Sequence, residues 1–251
     1  MTIKNLSIIA VALLFVSCKN DFQLVKIEGK RIEINDNLAT NQDIENFVAP
    51  YRERINKDLD SVLAYAVDTY SKTDGHLNTA IGNLVADVVL EQSNPIFNSR
   101  TGNNIDFVLL NHGGIRSIIS KGNVTTRTAF GVMPFENSVI VVALKGQQIE
   151  DLIAYLSRAK RAHPISGLQL ELDKDFKVIS SSVNGKPIEK HKIYYIATND
   201  YLYNGGDGMV FFQPNEGEYV LDYKVRTTLI DYFKKVDTLN PVIDDRFTQK
   251  N

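Results

Sequence analysis

Apolar residues recur every three or four positions in four parts of the chain, and this spacing predicts four amphipathic helices. The first covers residues 41–68, where Pro50 predicts a kink or a break. The other three cover residues 79–91, 147–158 and 221–236. The first helix is expected to form a leading helical arm, residues 41–70, ahead of the other elements.

Other stretches have the pattern of β-strands. Residues 105–110 and 139–144 are continuous apolar runs, as expected for strands buried on both faces. Alternating positions predict a strand, or a hairpin turning at Gly29-Lys30, over residues 24–34. Further strands are predicted over residues 168–172, 177–183 and 193–198, with Asn184-Gly185 as a hairpin turn between the last two. The order of elements predicts an α+β, or mixed α/β, fold as one domain, and we expect an α+β domain with a mixed sheet over residues 41–251.

The first residues have the pattern of an export signal. Lys4 precedes an apolar run, residues 6–16, that is too short to span a bilayer, and Ser17-Cys18 follows it. This resembles a bacterial lipoprotein signal peptide over residues 1–17, although Phe15 is not the usual aliphatic residue. The alternative is an ordinary signal peptide with a chance cysteine. We expect an exported lipoprotein, lipidated at Cys18 and anchored at the periplasmic face or the cell surface, with residues 18–40 as a tether and short strand segment.

Composition and charge narrow the range of functions. The net charge is −2 and the pI is near 6.1, so no overall field favours a nucleic-acid polymer as partner. Cys18 is the only cysteine, so the rest of the chain offers no disulfide and no thiol chemistry. A hydrophobic content of 43% over 251 residues is enough for a sizeable core.

Three loops carry the candidate chemistry, at residues 111–116, 131–137 and 199–208. They combine glycines, which let a ligand approach the backbone, with an arginine that pairs well with phosphate. The first loop, which begins Asn111-His112, is compatible with a plain turn, a metal site or a ligand loop. The residues of the other two have ordinary explanations as well, since Phe135 could fill the core and Asp207 could form an Asx turn.

Four sequence motifs together resemble one known family. "AIGNLVADVV" (residues 80–89), "NHGGIR", "MPFENSV" and "TNDYLYNGGDG" occur in this order in the C-terminal, substrate-binding domain of the 5'-nucleotidase family. The resemblance extends from about residue 41 to the last predicted helix. It implies the fold of that domain, which holds the nucleoside while a separate N-terminal domain carries two metal ions and cleaves the phosphate ester.

The resemblance implies roles for individual residues in holding a base. Phe135 and Tyr201 would sandwich it, and Asn111 would hydrogen-bond the base or the sugar edge. Many family members have phenylalanine where Tyr201 stands, but tyrosine still stacks on a base.

The sugar and the phosphate would be held by the remaining loop residues. Arg116, together with the backbone of Gly113 and Gly114, would face the ribose and the phosphate. Asp207 would accept the ribose hydroxyls, in a loop shaped by the glycines that precede it, Gly205 and Gly206. Many members also carry an arginine just before the helix that begins near Ala80, and residues 74–78 contain none. Phosphate binding is therefore expected to be weaker or the ligand to differ, with His76 as a weak substitute.

A metal site within this chain is not expected. Asp74-Gly75-His76 and Asn111-His112 imitate two metallophosphoesterase motifs, but the acid that should follow His112 and any His-x-His pair are missing. The chain contains only four histidines, which is too few for a two-metal site: His76, His112, His163 and His191. We expect no catalytic residue and no cofactor bound by this chain, and two divalent metals in a partner domain.

These observations lead to three hypotheses. The first is the nucleotide-binding half of a split 5'-nucleotidase, inactive alone, whose hydrolysis needs a separately encoded metallophosphoesterase chain. The second is a free-standing surface lipoprotein that binds nucleosides or nucleotides without a catalytic role, and the third is a retained scaffold with a dead pocket. The predicted helix at residues 41–68 corresponds to the segment that links the two domains in family members. It would offer a docking surface for a partner or simply pack on its own domain.

Overall fold

The structure is a computed structural model that describes residues 24–35 and 37–250. The predicted signal peptide and Cys18 lie outside these residues. The chain divides into two units, Met1–Val48 and Ala49–Asn251. No helix in the described part of the chain combines the length and the apolar content needed to cross a bilayer.

The elements follow one another in a mixed order. The α-helices of the described residues are α1 (Gln42–Leu59), α2 (Ala80–Thr101), α3 (Thr126–Val132), α4 (Gly146–Ala159), α5 (Asp200–Tyr203) and α6 (Val225–Phe233). The strands are β1 (Val62–Ala66), β2 (Phe107–Leu109), β3 (Gly122–Thr125), β4 (Ser138–Lys145), β5 (Ile165–Ser166), β6 (Leu168–Leu172), β7 (Val178–Val183), β8 (Ile193–Asn199), β9 (Gly217–Lys224), β10 (Thr238–Leu239) and β11 (Phe247–Gln249).

A five-stranded sheet with the order β5-β2-β8-β4-β9 forms the centre of the second unit. Strands β2 and β8 are parallel and the other pairs are antiparallel, so the predicted mixed sheet is confirmed. Successive side chains enter opposite cores, because strand residues alternate in direction. Val108 packs in the core with α2, whereas Phe107 and Leu109 pack in the core with α4. This double burial confirms the interpretation of the continuous apolar runs.

The predicted helix over residues 41–68 is wrong in its second part. Helix α1 continues through Pro50 without a break and ends at Leu59. Residues 62–66 instead form β1, which pairs antiparallel with β3 and parallel with β10. Ala64 and Ala66 are buried while Val62 and Tyr65 are exposed, which is an alternation of two rather than a helical spacing. The helical arm is therefore shorter than the predicted 41–70.

The predicted strand or hairpin over residues 24–34 is also wrong. Residues 24–35 have no regular secondary structure, and their apolar side chains are exposed; Leu24, for example, is 79% exposed. The physical reason is that an isolated two-stranded hairpin is marginal in water without a further strand or a packed face.

Helix α2 is longer than predicted. Thr79 caps its N-terminus by accepting a hydrogen bond from the Gly82 amide, and the helix passes Pro95 to reach Thr101. Gly102, at a φ of 75°, ends it in the left-handed conformation. The apolar residues whose helical spacing predicted this helix are all buried: Ile81, Leu84, Val85, Val88 and Val89.

Two predictions near the C-terminus need correction. Asn184 and Gly185 do form a tight turn with positive φ angles, but β7 pairs with β6, whereas β8 pairs with β2 and β4. The predicted hairpin between them is therefore wrong. The last helix begins at Val225 and ends at Phe233, because the preceding residues, including Leu221, form β9 on the edge of the central sheet.

Candidate functional site

The strand order of the central sheet brings the three glycine-containing loops together. The first loop follows β2 and the third follows β8, and these strands are parallel neighbours, so both loops leave the same edge of the sheet. The second loop precedes β4, which is antiparallel to β8 with Val139 opposite Asn199. An antiparallel strand begins where its neighbour ends, so the second loop reaches that edge as well.

A cavity of about 590 Å³ lies between these loops. Seven of the nine predicted site residues line it: Asn111, Gly113, Gly114, Arg116, Phe135, Tyr201 and Asp207. The same cavity is lined by four residues that were not predicted, Met133, Glu136, Asn137 and Asn199. Gly205 and Gly206 belong to the third loop but do not line the cavity. The walls therefore combine two aromatic rings with amides, a guanidinium and carboxylates.

The Asp207 carboxylate is held in place from two sides. Its Oδ2 accepts a hydrogen bond from Asn111 Nδ2 at 2.7 Å, and its Oδ1 accepts one from the Tyr201 hydroxyl at 2.8 Å. Its backbone is fixed too, because the Tyr155 hydroxyl donates to the Asp207 carbonyl oxygen at 2.9 Å. Asp207 has a φ of 53°, an uncommon value for a residue with a side chain. These contacts explain how the strained conformation is maintained.

The Tyr201 ring lies directly on the backbone of Gly206. A Cβ atom added at Gly206 would come within 2.5 Å of the ring, so only glycine permits this contact. The hydrogen bond to Asp207 is also the largest reason why the pKa of the Tyr201 phenol is raised. Gly206 thus supports the ring from behind, and Asp207 holds its outer end.

The loop that carries Phe135 is fastened by a buried arginine that sequence reasoning missed. Arg226, in α6, has a side chain only 8% exposed, and its guanidinium carbon lies 3.9 Å from the centre of the Phe130 ring. It donates hydrogen bonds to the carbonyl oxygens of Pro134 at 3.0 Å, Phe135 at 3.4 Å and Met133 at 3.5 Å. It also pairs with the Glu136 carboxylate, which lowers the pKa of that acid.

Asp200 joins the second loop to the third. Its Oδ1 accepts a hydrogen bond from Asn137 Nδ2 at 2.7 Å, and its Oδ2 accepts one from the Ser138 amide at 3.1 Å. The neighbouring Asn199 caps α5 by accepting from the Leu202 amide. The sequence signal for this arrangement was available, since an Asn-Asp pair directly after an apolar strand is typical of a helix start.

Arg116 extends along the cavity wall beside Phe135. Its guanidinium carbon lies 6.0 Å from the centre of the Phe135 ring, and its Nη1 donates to the Gly113 carbonyl oxygen at 3.4 Å. Phe135 and Tyr201 are each 47% exposed although both line a cavity. The site can therefore offer ring faces, a fixed positive charge and a carboxylate to one ligand.

His112 does not line this cavity. It lines an adjoining cavity of about 470 Å³ that shares Gly113 and Asp207 with the first. Its Nδ1 lies 3.2 Å from the Ala162 carbonyl oxygen, and its amide donates to His163 Nδ1 at 3.3 Å. Burial lowers the pKa of both imidazoles, that of His163 to about 4. His163 is therefore neutral at pH 7 and acts as an acceptor within the wall.

The two segments that resemble metal-binding motifs, Asp74-Gly75-His76 and Asn111-His112, do not form a metal site in the structure. Within residues 24–35 and 37–250, no group of three or more histidine, cysteine, aspartate or glutamate side chains could hold an ion. His76 packs edge-on against Phe176, with ring centres 6.1 Å apart, and does not line the cavity.

Comparison with known proteins agrees with the fold and with the family resemblance. Residues 60–214 match the family described as "5'-nucleotidase, C-terminal domain". Among relatives, cell wall protein Lmo0130 of Listeria monocytogenes is 28% identical over 240 residues, which cover 79% of this chain and 30% of that protein. Protein UshA of Escherichia coli is 24% identical over 193 residues, covering 72% and 32% of the two chains.

Solved structures show the same fold. The 5'-nucleotidase precursor of Thermus thermophilus superposes with a TM-score of 0.69 at 23% identity, over 84% of this chain and 43% of that one. The chain thus spans less than half the length of each of these proteins. The family match covers more than half of the residues, in agreement with the four sequence motifs. The chain belongs to the family of 5'-nucleotidase C-terminal domains.

Proposed function

We propose that this chain binds a nucleoside or a nucleoside monophosphate in the 590 Å³ cavity, as the binding half of a split 5'-nucleotidase. The observation that carries the proposal is that three loops, far apart in sequence, contribute seven predicted ligand-binding residues to one cavity. A cavity of this size is in the range of small-molecule sites.

In this proposal the base stacks between Phe135 and Tyr201. Stacking on an aromatic ring is worth on the order of 1–3 kcal/mol per base and tolerates every base. Asn111 Oδ1 is left to accept a hydrogen bond from the base or the sugar edge, because the amide nitrogen of this side chain already donates to Asp207.

The sugar and phosphate lie along the other wall. Asp207 accepts the ribose hydroxyls, and Arg116 faces the phosphate together with the backbone of Gly113 and Gly114. Gly205 and Gly206 act indirectly, since the latter supports the Tyr201 ring. Arginine suits this role because its charge is permanent and its donors match phosphate oxygens.

Hydrolysis in this proposal needs a separately encoded metallophosphoesterase chain. Two divalent metals polarise a phosphate and activate water in such sites, and these metals belong to the partner. This chain would bind the nucleotide, and the partner would hydrolyse its phosphate ester.

We also propose that the chain is an exported lipoprotein, anchored to a membrane through Cys18. The relative from Listeria, a cell wall protein by name, supports export.

Binding is tested by calorimetric titration of the full chain with adenosine, adenosine monophosphate and ribose 5-phosphate. We expect both adenosine compounds to bind and ribose 5-phosphate to bind much more weakly, because it lacks the stacking base. Guanosine, cytidine and uridine extend the test to other bases. Absence of binding by all four nucleosides and their monophosphates refutes the proposal.

Hydrolysis is tested by mixing the chain with a metallophosphoesterase encoded beside it and measuring phosphate release from adenosine monophosphate. We expect the mixture to exceed the sum of the two proteins assayed alone. Nucleoside binding without any such gain favours the alternative, a free-standing surface lipoprotein that binds nucleosides or nucleotides and has no catalytic role.

A further inference from the structure

The Tyr201 hydroxyl makes two hydrogen bonds to Asp207 that base stacking does not need. It donates to Asp207 Oδ1 at 2.8 Å and accepts a hydrogen bond from the Asp207 amide at 3.2 Å. The phenol is thus both donor and acceptor to one residue and closes a ring of hydrogen bonds across residues 201–207. Phenylalanine at this position would stack but could make neither contact.

The contacts fix the carboxylate as well as the loop. Asn111 engages Oδ2 and Tyr201 engages Oδ1, so the carboxylate cannot rotate without losing a hydrogen bond. A carboxylate oxygen accepts about two hydrogen bonds, which leaves one free acceptor position on each oxygen. Two parallel acceptors in a fixed plane match a vicinal diol, which offers two donors from adjacent carbons.

We propose that the Tyr201 hydroxyl is a positioning group that sets Asp207 to select ribonucleosides over 2'-deoxyribonucleosides. The proposal deepens the proposed function and rests on it. A site whose acceptor is held rigidly rejects an analogue that lacks the donor, because the acceptor is left unpaired. When the Tyr201 hydroxyl is removed, the carboxylate gains freedom to turn toward water, and the penalty for a missing 2'-hydroxyl falls.

The test compares two conservative variants, Tyr201→Phe and Tyr203→Phe. Tyr203 lies in the same short helix α5 but does not line the cavity, and its hydroxyl accepts a hydrogen bond from Asn215. Affinities for adenosine and 2'-deoxyadenosine are measured by calorimetry for the wild type and both variants. The quantity of interest is the ratio of the two affinities, since a general weakening of stacking leaves that ratio unchanged.

For the wild type we expect adenosine to bind about tenfold more tightly than 2'-deoxyadenosine, the size of one hydrogen bond to a charged group in a partly exposed site. Tyr201→Phe is expected to reduce this ratio about threefold or more while 2'-deoxyadenosine binding changes little. Tyr203→Phe is expected to keep it.

Three results overturn the inference. Wild-type affinities for both ligands in Tyr201→Phe show that the hydroxyl does not position Asp207. An equal loss of affinity for both ligands, which leaves the ratio unchanged, shows that the hydroxyl supports the loop without setting the preference for the ribose. A wild type that binds no nucleoside refutes the proposed function and this inference with it, whereas the first two results leave nucleoside binding intact.

Discussion

Arg226 offers the sharpest test of how the loop that carries Phe135 is held. We consider Arg226→Met, which keeps much of the apolar stem and removes the guanidinium. The variant loses the 3.0 Å hydrogen bond to the Pro134 carbonyl oxygen, the longer contacts to Met133 and Phe135, and the guanidinium stacked on Phe130.

The magnitude follows from these contacts. A hydrogen bond from a charged group contributes about 1.5–3 kcal/mol and a cation–π contact about 0.5–2 kcal/mol. Part of this gain is offset because the variant no longer buries a charge. The ion pair with Glu136 adds little, since that carboxylate is 70% exposed. We expect the free energy of unfolding to fall by about 2–3 kcal/mol, and adenosine affinity to fall about tenfold because Phe135 is no longer held in place.

The assays are urea denaturation and calorimetric titration with adenosine. Arg100→Met is a control, because Arg100 also donates to two backbone carbonyl oxygens, those of Val220 and Leu221, which lie in β9 and not in the loop that carries Phe135. The Arg100 side chain is 48% exposed, so its loss of stability is expected to be smaller than that of Arg226→Met. We expect Arg100→Met to reduce stability and leave adenosine affinity unchanged. If Arg226→Met loses stability yet binds adenosine as the wild type does, then Arg226 supports the fold alone and the positioning argument is refuted.

Three further predictions concern a stacking ring, a helix cap and a buried histidine. Phe135→Ala should reduce adenosine affinity about ten- to a hundredfold with little change in melting temperature, and an unchanged affinity would place the base elsewhere. Thr79→Ala removes the cap of α2 and should lower the free energy of unfolding by about 1 kcal/mol in urea denaturation, whereas Thr79→Ser should restore it. His163 has a pKa of about 4 when folded and near 6.5 when unfolded, so the unfolded state binds the proton first as pH falls. The stability that neutral His163 contributes to the folded state is complete above pH 6.5 and is lost as the pH falls toward 4. The free energy of unfolding then decreases by at most about 1.4 kcal/mol per pH unit. His163→Gln should flatten this part of the stability profile, and an unchanged slope would contradict the assignment.

Apolar runs and helical spacing predicted those elements whose conformation depends on residues close in sequence. The continuous apolar runs became β2 and β4 because a strand buried on both faces needs no alternation. The inner face of α2 followed from helical spacing. The errors lie where a distant partner decides the conformation. Residues 62–66 form a strand because β3 and β10 pair with them, and β9 is a strand because β4 lies beside it.

The candidate site, too, was predicted only as far as it depends on local sequence. The motifs singled out Phe135, Tyr201 and Asp207, but their residue types alone could not show that their loops share one edge of the sheet. Arg226 was missed because nothing in an amphipathic helix distinguishes a buried arginine from a solvated one. Its importance arises from the three carbonyl oxygens that the second loop brings to it. Tyrosine in place of phenylalanine at position 201 was interpreted as a change without effect on stacking. The partner of its hydroxyl, Asp207, comes within reach only through the turn at Gly205 and Gly206.

The parallel pairing of β2 with β8 has a consequence for folding. Phe107 pairs with Ile196, so this pairing brings together two strands that are separated by a long stretch of chain. Such non-local contacts form slowly, because the entropy of closing the connection is lost before the pairing stabilises it. The cavity between the loops cannot exist before that step. A ligand of this cavity therefore binds the native state alone, and its concentration should raise the midpoint of unfolding by mass action.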